Sequence, residues 1–277
     1  MVEFIEKELG NIINLLESAG REIMSVYHQN DSGTFLKEDN SPVTRADLLS
    51  DYIVKEGLKG ITPGIPVLSE EAKDISYSLR SEWNTLWMLD PLDGTREFLA
   101  RNEEFCISLA LISDRKPVAG FIYAPALQKT WFSIKGEGAF RLKGEEKIRM
   151  QAVRLDKPYR IVKSRSHYTQ MEESLLQEIG TIYETEVITV GSAIKFCEIA
   201  DGNADFYIKT GLINEWDIAA GHIIVEEAGG GIIDFETGMP PVYNKADSRQ
   251  PPFIAFGIRG KEILKGIIQI YEKGRKY

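Results

Sequence analysis

Residues 85–98 read TLWMLDPLDGTREF. The strand-like run TLWML stops at Asp90-Pro91, where proline removes the next backbone donor, and Asp93-Gly94 supplies a sharp turn. Such a turn brings Asp90 and Asp93 toward one space. Two carboxylates at close range repel and are costly to desolvate, so they need a cation or a shared proton. Hard oxygen ligands suit Mg²⁺, which keeps several waters and favours phosphate-bearing partners. Thr95 sets a hydroxyl beside them. Taken alone, the same letters read equally as a solvent-exposed turn, since Asp, Pro and Gly are turn residues. Two further acidic positions weigh against that reading. Glu70-Glu71 follows the strand-like IPVLS, and Asp217 follows Trp216 at the start of an apolar helix, where an Asp also reads as an N-cap.

Working outward, residues 3–28 carry apolar side chains at three- and four-residue spacings, the stripe of a long amphipathic helix. The polar stretch 29–42 reads as hairpin or loop. Thr44 caps a helix expected from 45 to about 58, with Asp47 on its first turn. The runs 105–113, 118–123, 130–134 and 138–142 predict antiparallel sheet, its faces partly covered by the first two helices. Beyond 150–155 the pattern becomes mixed. Strands are expected at 160–164, 185–190, 205–209, 232–235 and 253–257, and helices at 168–178, 193–200, 217–228 and 260–272. The chain is thus expected to divide into 1–152, with most of the acidic candidates, and 153–277, which contributes Asp217.

Composition narrows the class. The 277 residues are 43% hydrophobic and 27% charged, which excludes a disordered or collagen-like chain. Basic residues number 33 against 42 acidic, a net charge of −9 without a long cationic run, so a nucleic acid polymer or an anionic membrane is not the expected partner. An anionic ligand would need local cations, backbone N–H groups or a metal. The only two cysteines, Cys106 and Cys197, sit among apolar neighbours and read as packed small hydrophobes of a reducing, cytoplasmic setting. No signal-peptide pattern or membrane-spanning apolar run is present. Three histidines without Cys/His spacing argue against zinc, and His222, on an apolar helix, reads as a hydrogen-bonded core residue. Gly229–Gly231 lacks the lysine and hydroxyl of a triphosphate loop and reads as a helix stop.

Asp90-Pro91-Leu92-Asp93-Gly94-Thr95-Arg96-Glu97-Phe98 and Trp216-Asp217-Ile218-Ala219-Ala220-Gly221 resemble the two signature segments, DPxDGT-x-x-F and WDxAAG, of the inositol monophosphatase superfamily. Glu70-Glu71 and Pro42–Asp47 resemble two further segments of that family, in the same order. The resemblance implies an α/β fold, a layered α/β/α/β/α sandwich, and a magnesium-dependent, lithium-inhibited phosphomonoesterase. It further implies two or three Mg²⁺ ions held by Glu70, Asp90, the Leu92 carbonyl, Asp93 and Asp217. Asp47 takes part through waters of a weaker site, and Glu70 with Thr95 positions the nucleophilic water. A helix starting near Thr95 would aim N–H groups at the phosphoryl oxygens.

Finer segments resemble the branch that removes the 3′-phosphate of adenosine 3′,5′-bisphosphate. These are Ser164-Arg165-Ser166-His167, Gly191-Ser192-Ala193-Ile194-Lys195-Phe196-Cys197, Tyr243-Asn244-Lys245 and the Glu215 that precedes Trp216. A second phosphate needs donors away from the metals, and Arg165, His167 and Lys195 are the candidates, with Ser192 near the ribose. Arg165 is expected as the strongest anchor because its planar fork suits phosphate. Gly94, Gly191 and Glu215 complete the expected substrate contacts. Ala193 and Ile194 depart from the branch's commoner residues and leave open an inositol or sugar phosphatase, including one acting on fructose 1,6-bisphosphate. The family holds both monomers and homodimers.

Overall fold

The computed structural model describes residues 2–29, 33–36, 42–72, 75–144, 146–153 and 157–274. The chain opens with α1 (Val2–Tyr27), the short strands β1 (Phe35–Leu36) and β2 (Pro42–Val43), and α2 (Arg45–Ile61). β1 and β2 pair antiparallel, so part of the 29–42 stretch is a hairpin; residues 30–32 and 37–41 lie outside the described residues. Then come β3 (Val67–Ser69), the single turn α3 (Tyr77–Arg80), β4 (Thr85–Asp93) and α4 (Thr95–Leu99). A meander follows: β5 (Cys106–Ser113), β6 (Lys116–Ala124), β7 (Lys129–Ile134), β8 (Gly138–Lys143) and β9 (Glu146–Arg149). The remainder is β10 (Tyr159–Ser164), α5 (Gln170–Ile182), β11 (Thr185–Val190), α6 (Ile194–Ala200), β12 (Phe206–Lys209), α7 (Glu215–Glu227), β13 (Gly231–Asp234), β14 (Phe253–Phe256) and α8 (Leu264–Gly274).

β3 to β9 form a seven-stranded sheet in chain order, antiparallel except for the parallel β3–β4 pair. The second sheet has the order β11-β10-β12-β14-β13, parallel at β10 and antiparallel at β14. The period-two alternation of each strand sorts its side chains into separate cores. In the first sheet Trp87, Leu89, Leu109 and Leu111 pack under α1 and α2. Their neighbours Leu86, Met88, Ala110 and Ile112 face the opposite way, toward Phe196, Ile199, Ala219 and Ile224 of α6 and α7. In the second sheet Val162 and Tyr207 join that middle core, while Ile161, Phe206 and Ile208 pack beneath α5 and α8. The layers therefore run α1/α2, seven-stranded sheet, α6/α7, five-stranded sheet, α5/α8, an α/β/α/β/α sandwich.

Two differences from the sequence reading follow from long-range packing. The first sheet's second face is covered by α6 and α7 rather than by the N-terminal helices. Helix α7 is buried on nearly every side between the two sheets, which explains its apolar sequence all round. Ala219, Ala220 and Gly221 keep it thin: a Cβ on Gly120 of β6 would lie 2.7 Å from the Ala220 carbonyl oxygen. β9, whose charged EKIR sequence carries no apolar alternation, is an edge strand added by pairing with β8. The expected dividing line near 150–155 runs partly through residues 154–156, which lie outside the described residues.

His222 takes the core place expected of it on α7, with Nδ1 2.7 Å from the Tyr243 hydroxyl. Burial pushes its pKa from 6.5 down to about 4. Glu226, 3.9 Å from Nε2, is largely solvated and does not offset that burial. Because the folded value lies below the unfolded one, the unfolded chain takes up the proton first, and this contribution to stability is lost as pH falls from 6.5 through 4. Urea titrations of His222→Gln and wild type are therefore expected to converge across that window, by about 3 kcal/mol at full extent. A gap that stays constant with pH would contradict the assignment.

Candidate active site

In an uninterrupted strand Asp90 and Asp93, an odd number of residues apart, would point to opposite faces. The β4–β5 register resolves this. Asp90 pairs with Ser108 and Asp93 with Cys106, so one extra residue is accommodated on β4 between them. This bulge, placed at Pro91 where no donor is available, turns both aspartates toward the face that carries Met88 and Cys106. Leu92 is buried on the other side, in the core beneath α1 and α2. The strand thus runs past Pro91 to Asp93 instead of stopping at Asp90. Gly94 then turns the chain at φ 92°, a left-handed conformation that a Cβ would disfavour and that brings it close to the Glu104 carbonyl.

Glu70 arrives from the neighbouring strand. β3 runs parallel to β4, with Ser69 opposite Leu89, and the Glu70 N–H donates to the Leu89 carbonyl at 3.0 Å. Asp217 arrives from the first turn of α7, whose start is tied to β5 by the Ser108 hydroxyl donating to the Trp216 carbonyl at 3.1 Å. One carboxylate oxygen each of Glu70, Asp90 and Asp217 lie within 4.8 Å of one another. Asp90 is buried, and burial followed by the charges of Glu70, Asp93 and Asp217 holds its pKa well above the carboxylate range. Asp217 is raised well above its ordinary value by burial, then by Asp93 and Glu70. Asp93 is raised to about 6 by burial, against the opposing pull of Lys195 and of the Ala193 N–H, which donates to its Oδ2 at 2.5 Å.

Three acidic oxygens this close fit a hard divalent cation, because only added positive charge lets them ionise together. Asp47 stands one hydrogen bond further out. Its Oδ2 accepts the Thr44 N–H at 2.7 Å as half of a capping box, and its Oδ1 accepts the Thr95 hydroxyl at 3.1 Å. Burial raises Asp47 to about 6. Asp217 is not the N-cap of α7, a place taken by Asn214; it stands at the third position, where its Oδ2 accepts the Asn214 N–H at 2.8 Å as half of a capping box.

The carboxylates open into a cavity of about 710 Å³. Its wall includes Glu70, Asp90, Leu92, Asp93, Gly94, Thr95, His167, Ser192, Lys195 and Asp217. The sequence reading missed Arg96, Tyr168, Lys209 and Arg249 on the same wall. Lys195 and Lys209 are nearly buried cations; the Lys209 ammonium donates to the His167 carbonyl at 2.7 Å and pairs with Glu172 at 3.3 Å. Burial lowers the Lys195 pKa, and burial with Arg96 and Lys209 lowers that of His167. Positive charge is thus gathered locally in a chain whose net charge is −9.

Three expected contacts stand off the wall. Arg165 makes a bidentate pair with Glu104, Nε to Oε2 and Nη2 to Oε1, both at 2.7 Å, and does not line the cavity. Glu215 is buried beneath it and accepts the N–H groups of Asn244 and Lys245 at 2.8 and 3.0 Å, fixing the 243–250 loop. Gly191 donates to Glu104 Oε2 at 2.7 Å. Cys106 and Cys197 are buried free thiols, as expected. Among the described residues no helix is long and apolar enough to cross a membrane.

This layered sandwich, with an acidic cluster at the seam between its sheets, is an architecture shared with known phosphatases. Residues 7–270 match the inositol monophosphatase family, and the chain belongs to that family. The similarity extends into its CysQ branch. The 3′(2′),5′-bisphosphate nucleotidase CysQ of Escherichia coli K12 is 38% identical over 242 residues, 87% of this chain and 95% of the relative. The Salmonella typhimurium protein of the same name is 40% identical over 230 residues, 82% and 91% of the two chains. The crystal structure of CysQ from Bacteroides thetaiotaomicron superposes with a TM-score of 0.78 at 35% identity, covering 91% of this chain and 97% of that one. The Thermotoga maritima IMPase also reaches 0.78, at 25% identity and 98% coverage of each chain.

The raised carboxylates set a sign for stability. Without metal, the folded cluster binds protons more tightly than the unfolded chain, so its contribution to stability falls as pH rises from about 4 through about 6. In EDTA the melting temperature is expected to be lower at pH 7.5 than at pH 4.5, and Mg²⁺ is expected to reduce the difference. Asp93→Asn is expected to melt higher than wild type in EDTA at pH 7.5 and to gain less from Mg²⁺. A lower melting temperature in EDTA with an undiminished Mg²⁺ gain would contradict the repulsion argument.

Proposed function

We propose that the chain is a magnesium-dependent phosphomonoesterase that hydrolyses the 3′-phosphate of adenosine 3′,5′-bisphosphate to AMP and inorganic phosphate. The observation that carries the reading is the convergence of Glu70, Asp90 and Asp217 on the wall of a cavity that also holds buried Lys195 and Lys209. Relatives at 38 to 40% identity named for bisphosphate nucleotidase activity support the choice of substrate. In this reading residues 1–152 and 153–277 are two halves that meet at the site.

Glu70, Asp90, the Leu92 carbonyl, Asp93 and Asp217 would hold two or three Mg²⁺ ions, whose chemistry when bound would be charge neutralisation at the phosphoryl oxygens and Lewis acidity toward water. Thr95 Oγ, donating to Asp47 Oδ1, turns a lone pair to the attacking water, and Asp47 accepts the proton passed along this hydrogen bond. Lys195, Lys209 and neutral His167 face the distal part of the substrate, with Ser192 beside the ribose. Leaving Arg165 off the wall, this reading assigns the 5′-phosphate to Lys195 and Lys209 rather than to a guanidinium fork.

Phosphate release from adenosine 3′,5′-bisphosphate, inositol 1-phosphate and fructose 1,6-bisphosphate, each with Mg²⁺ or EDTA, tests the proposal. The expected result is a preference for the nucleotide of about tenfold or more in kcat/KM, about 1.4 kcal/mol of discrimination, and no release in EDTA. A preference for inositol 1-phosphate would replace the substrate assignment with an inositol phosphatase. Thr95→Ala is expected to lower kcat by about 10²–10⁴-fold with little change in KM. An unchanged kcat would remove Thr95 from the proton path.

A further inference from the structure

Arg165 and Glu104 occupy the point where the two sheets meet. Glu104 lies between α4 and β5, one residue before Phe105. Its Oε2 accepts both Arg165 Nε and the Gly191 N–H at 2.7 Å, and its Oε1 accepts Arg165 Nη2. Arg165 Nη2 also donates to the Thr189 carbonyl at 3.1 Å. A single carboxylate just ahead of β5 thus grips the C-terminal ends of β10 and β11, immediately before the turn 191–193.

That turn is in contact with the acidic centre. The Ala193 N–H donates to Asp93 Oδ2, the Lys195 ammonium donates to the Ser192 carbonyl, and the Cys106 thiol lies 3.5 Å from the Ser192 hydroxyl. The fit leaves no slack. A Cβ on Gly191 would sit 2.9 Å from the Glu104 carbonyl oxygen, and one on Gly94 3.0 Å from the same atom. Ser192 and Glu103 are held in left-handed backbone at φ 49° and 66°. Non-glycine residues persist there only when their surroundings over-determine them.

We propose that the Glu104–Arg165 pair is a positioning device for the metal site: it fixes the 191–193 turn so that the Ala193 N–H orients Asp93. Arg165 then acts through Glu104 and the turn, not by touching a distal phosphate. This inference takes from the proposed function only that Asp93 is a Mg²⁺ ligand; it does not depend on which ester is cleaved. The bidentate geometry gives the pair directional rigidity that a point charge at residue 165 would lack. Hydrogen-bonding partners beyond a metal's own ligands act on affinity by fixing ligand orientation.

The test is Mg²⁺ calorimetry on the full-length wild type, Glu104→Ala, Arg165→Ala and the double variant, with the fold checked by circular dichroism. Phosphate release from adenosine 3′,5′-bisphosphate and adenosine 3′-monophosphate is measured alongside. Each single variant is expected to weaken Mg²⁺ binding by about tenfold, the lower end of what losing such a partner costs a metal site. The double variant is expected to be no worse than the poorer single one, since both interrupt one path. The kcat of both esters should fall together while their KM ratio stays fixed. Losses that add in the double variant would overturn the proposal. So would unaltered Mg²⁺ affinity in Glu104→Ala combined with a raised KM for the bisphosphate alone in Arg165→Ala, which would return Arg165 to phosphate binding. If an alanine variant does not fold, Glu104→Gln and Arg165→Lys undergo the same titration: weakened Mg²⁺ binding supports the latch and wild-type affinity overturns it. Absence of phosphate release in the wild type would refute the proposed activity, while the calorimetry would still decide the latch.

Discussion

Mutual repulsion among Glu70, Asp90 and Asp217 is the constraint around which the rest of the molecule is arranged. Bringing three carboxylate oxygens within 4.8 Å, with Asp90 buried, is unfavourable for the polypeptide alone. The arrangement is imposed by structure that is stable for other reasons. A bulge turns β4 so that Asp90 and Asp93 share a face, a parallel neighbour delivers Glu70, and a helix wedged between two sheets delivers Asp217. The apolar cores on both sides of the seven-stranded sheet hold these elements in place while the acids remain crowded. A divalent cation placed among these oxygens would relieve the repulsion, and the free energy so released would favour its binding.

The same economy recurs in the second rank of residues. Asp47 and Asp217 each accept a backbone N–H at a helix start, and Asp47 turns its other oxygen to the Thr95 hydroxyl. Lys195 and Lys209 are buried beside the acids, and each is anchored by a backbone carbonyl, so the cavity presents positive charge without flexible side chains. Glu215, although next to the signature tryptophan, faces away and ties down the 243–250 loop together with Arg80, which donates to the Asn244 side chain at 3.0 Å. N-cap Asn214, loop anchor Glu215 and cluster member Asp217 thus fall within four residues of one short segment, each with a different partner.

Legibility in the sequence followed the range of the interaction. The stripe of α1, the apolar runs of the meander and the Thr44 cap that starts α2 are encoded within a few residues, and each stands where the local pattern put it. Asp90, Asp93 and Asp217 were legible because two short motifs carry them, and Glu70 because the acidic pair 70–71 precedes them in order. The continuation of β4 past Pro91 was not, since a bulge is recognised only when the register of β5 is known. Nor was the burial of α7 between two sheets, nor the pairing of β9. Arg165 is the clearest case. Its fork suits phosphate, but Glu104, 61 positions away, satisfies the same fork first. Lys209 was read only as the end of a strand, and its place on the cavity wall depends on the Glu172 carboxylate from α5.

The most direct test of the central claim is crystallographic. Crystals grown with Mn²⁺ in place of Mg²⁺ would give anomalous difference density wherever a divalent cation sits. A peak bound by carboxylate oxygens of Glu70, Asp90 and Asp217 is expected. Density confined to surface carboxylates, with these three acids unliganded at millimolar Mn²⁺, would contradict it.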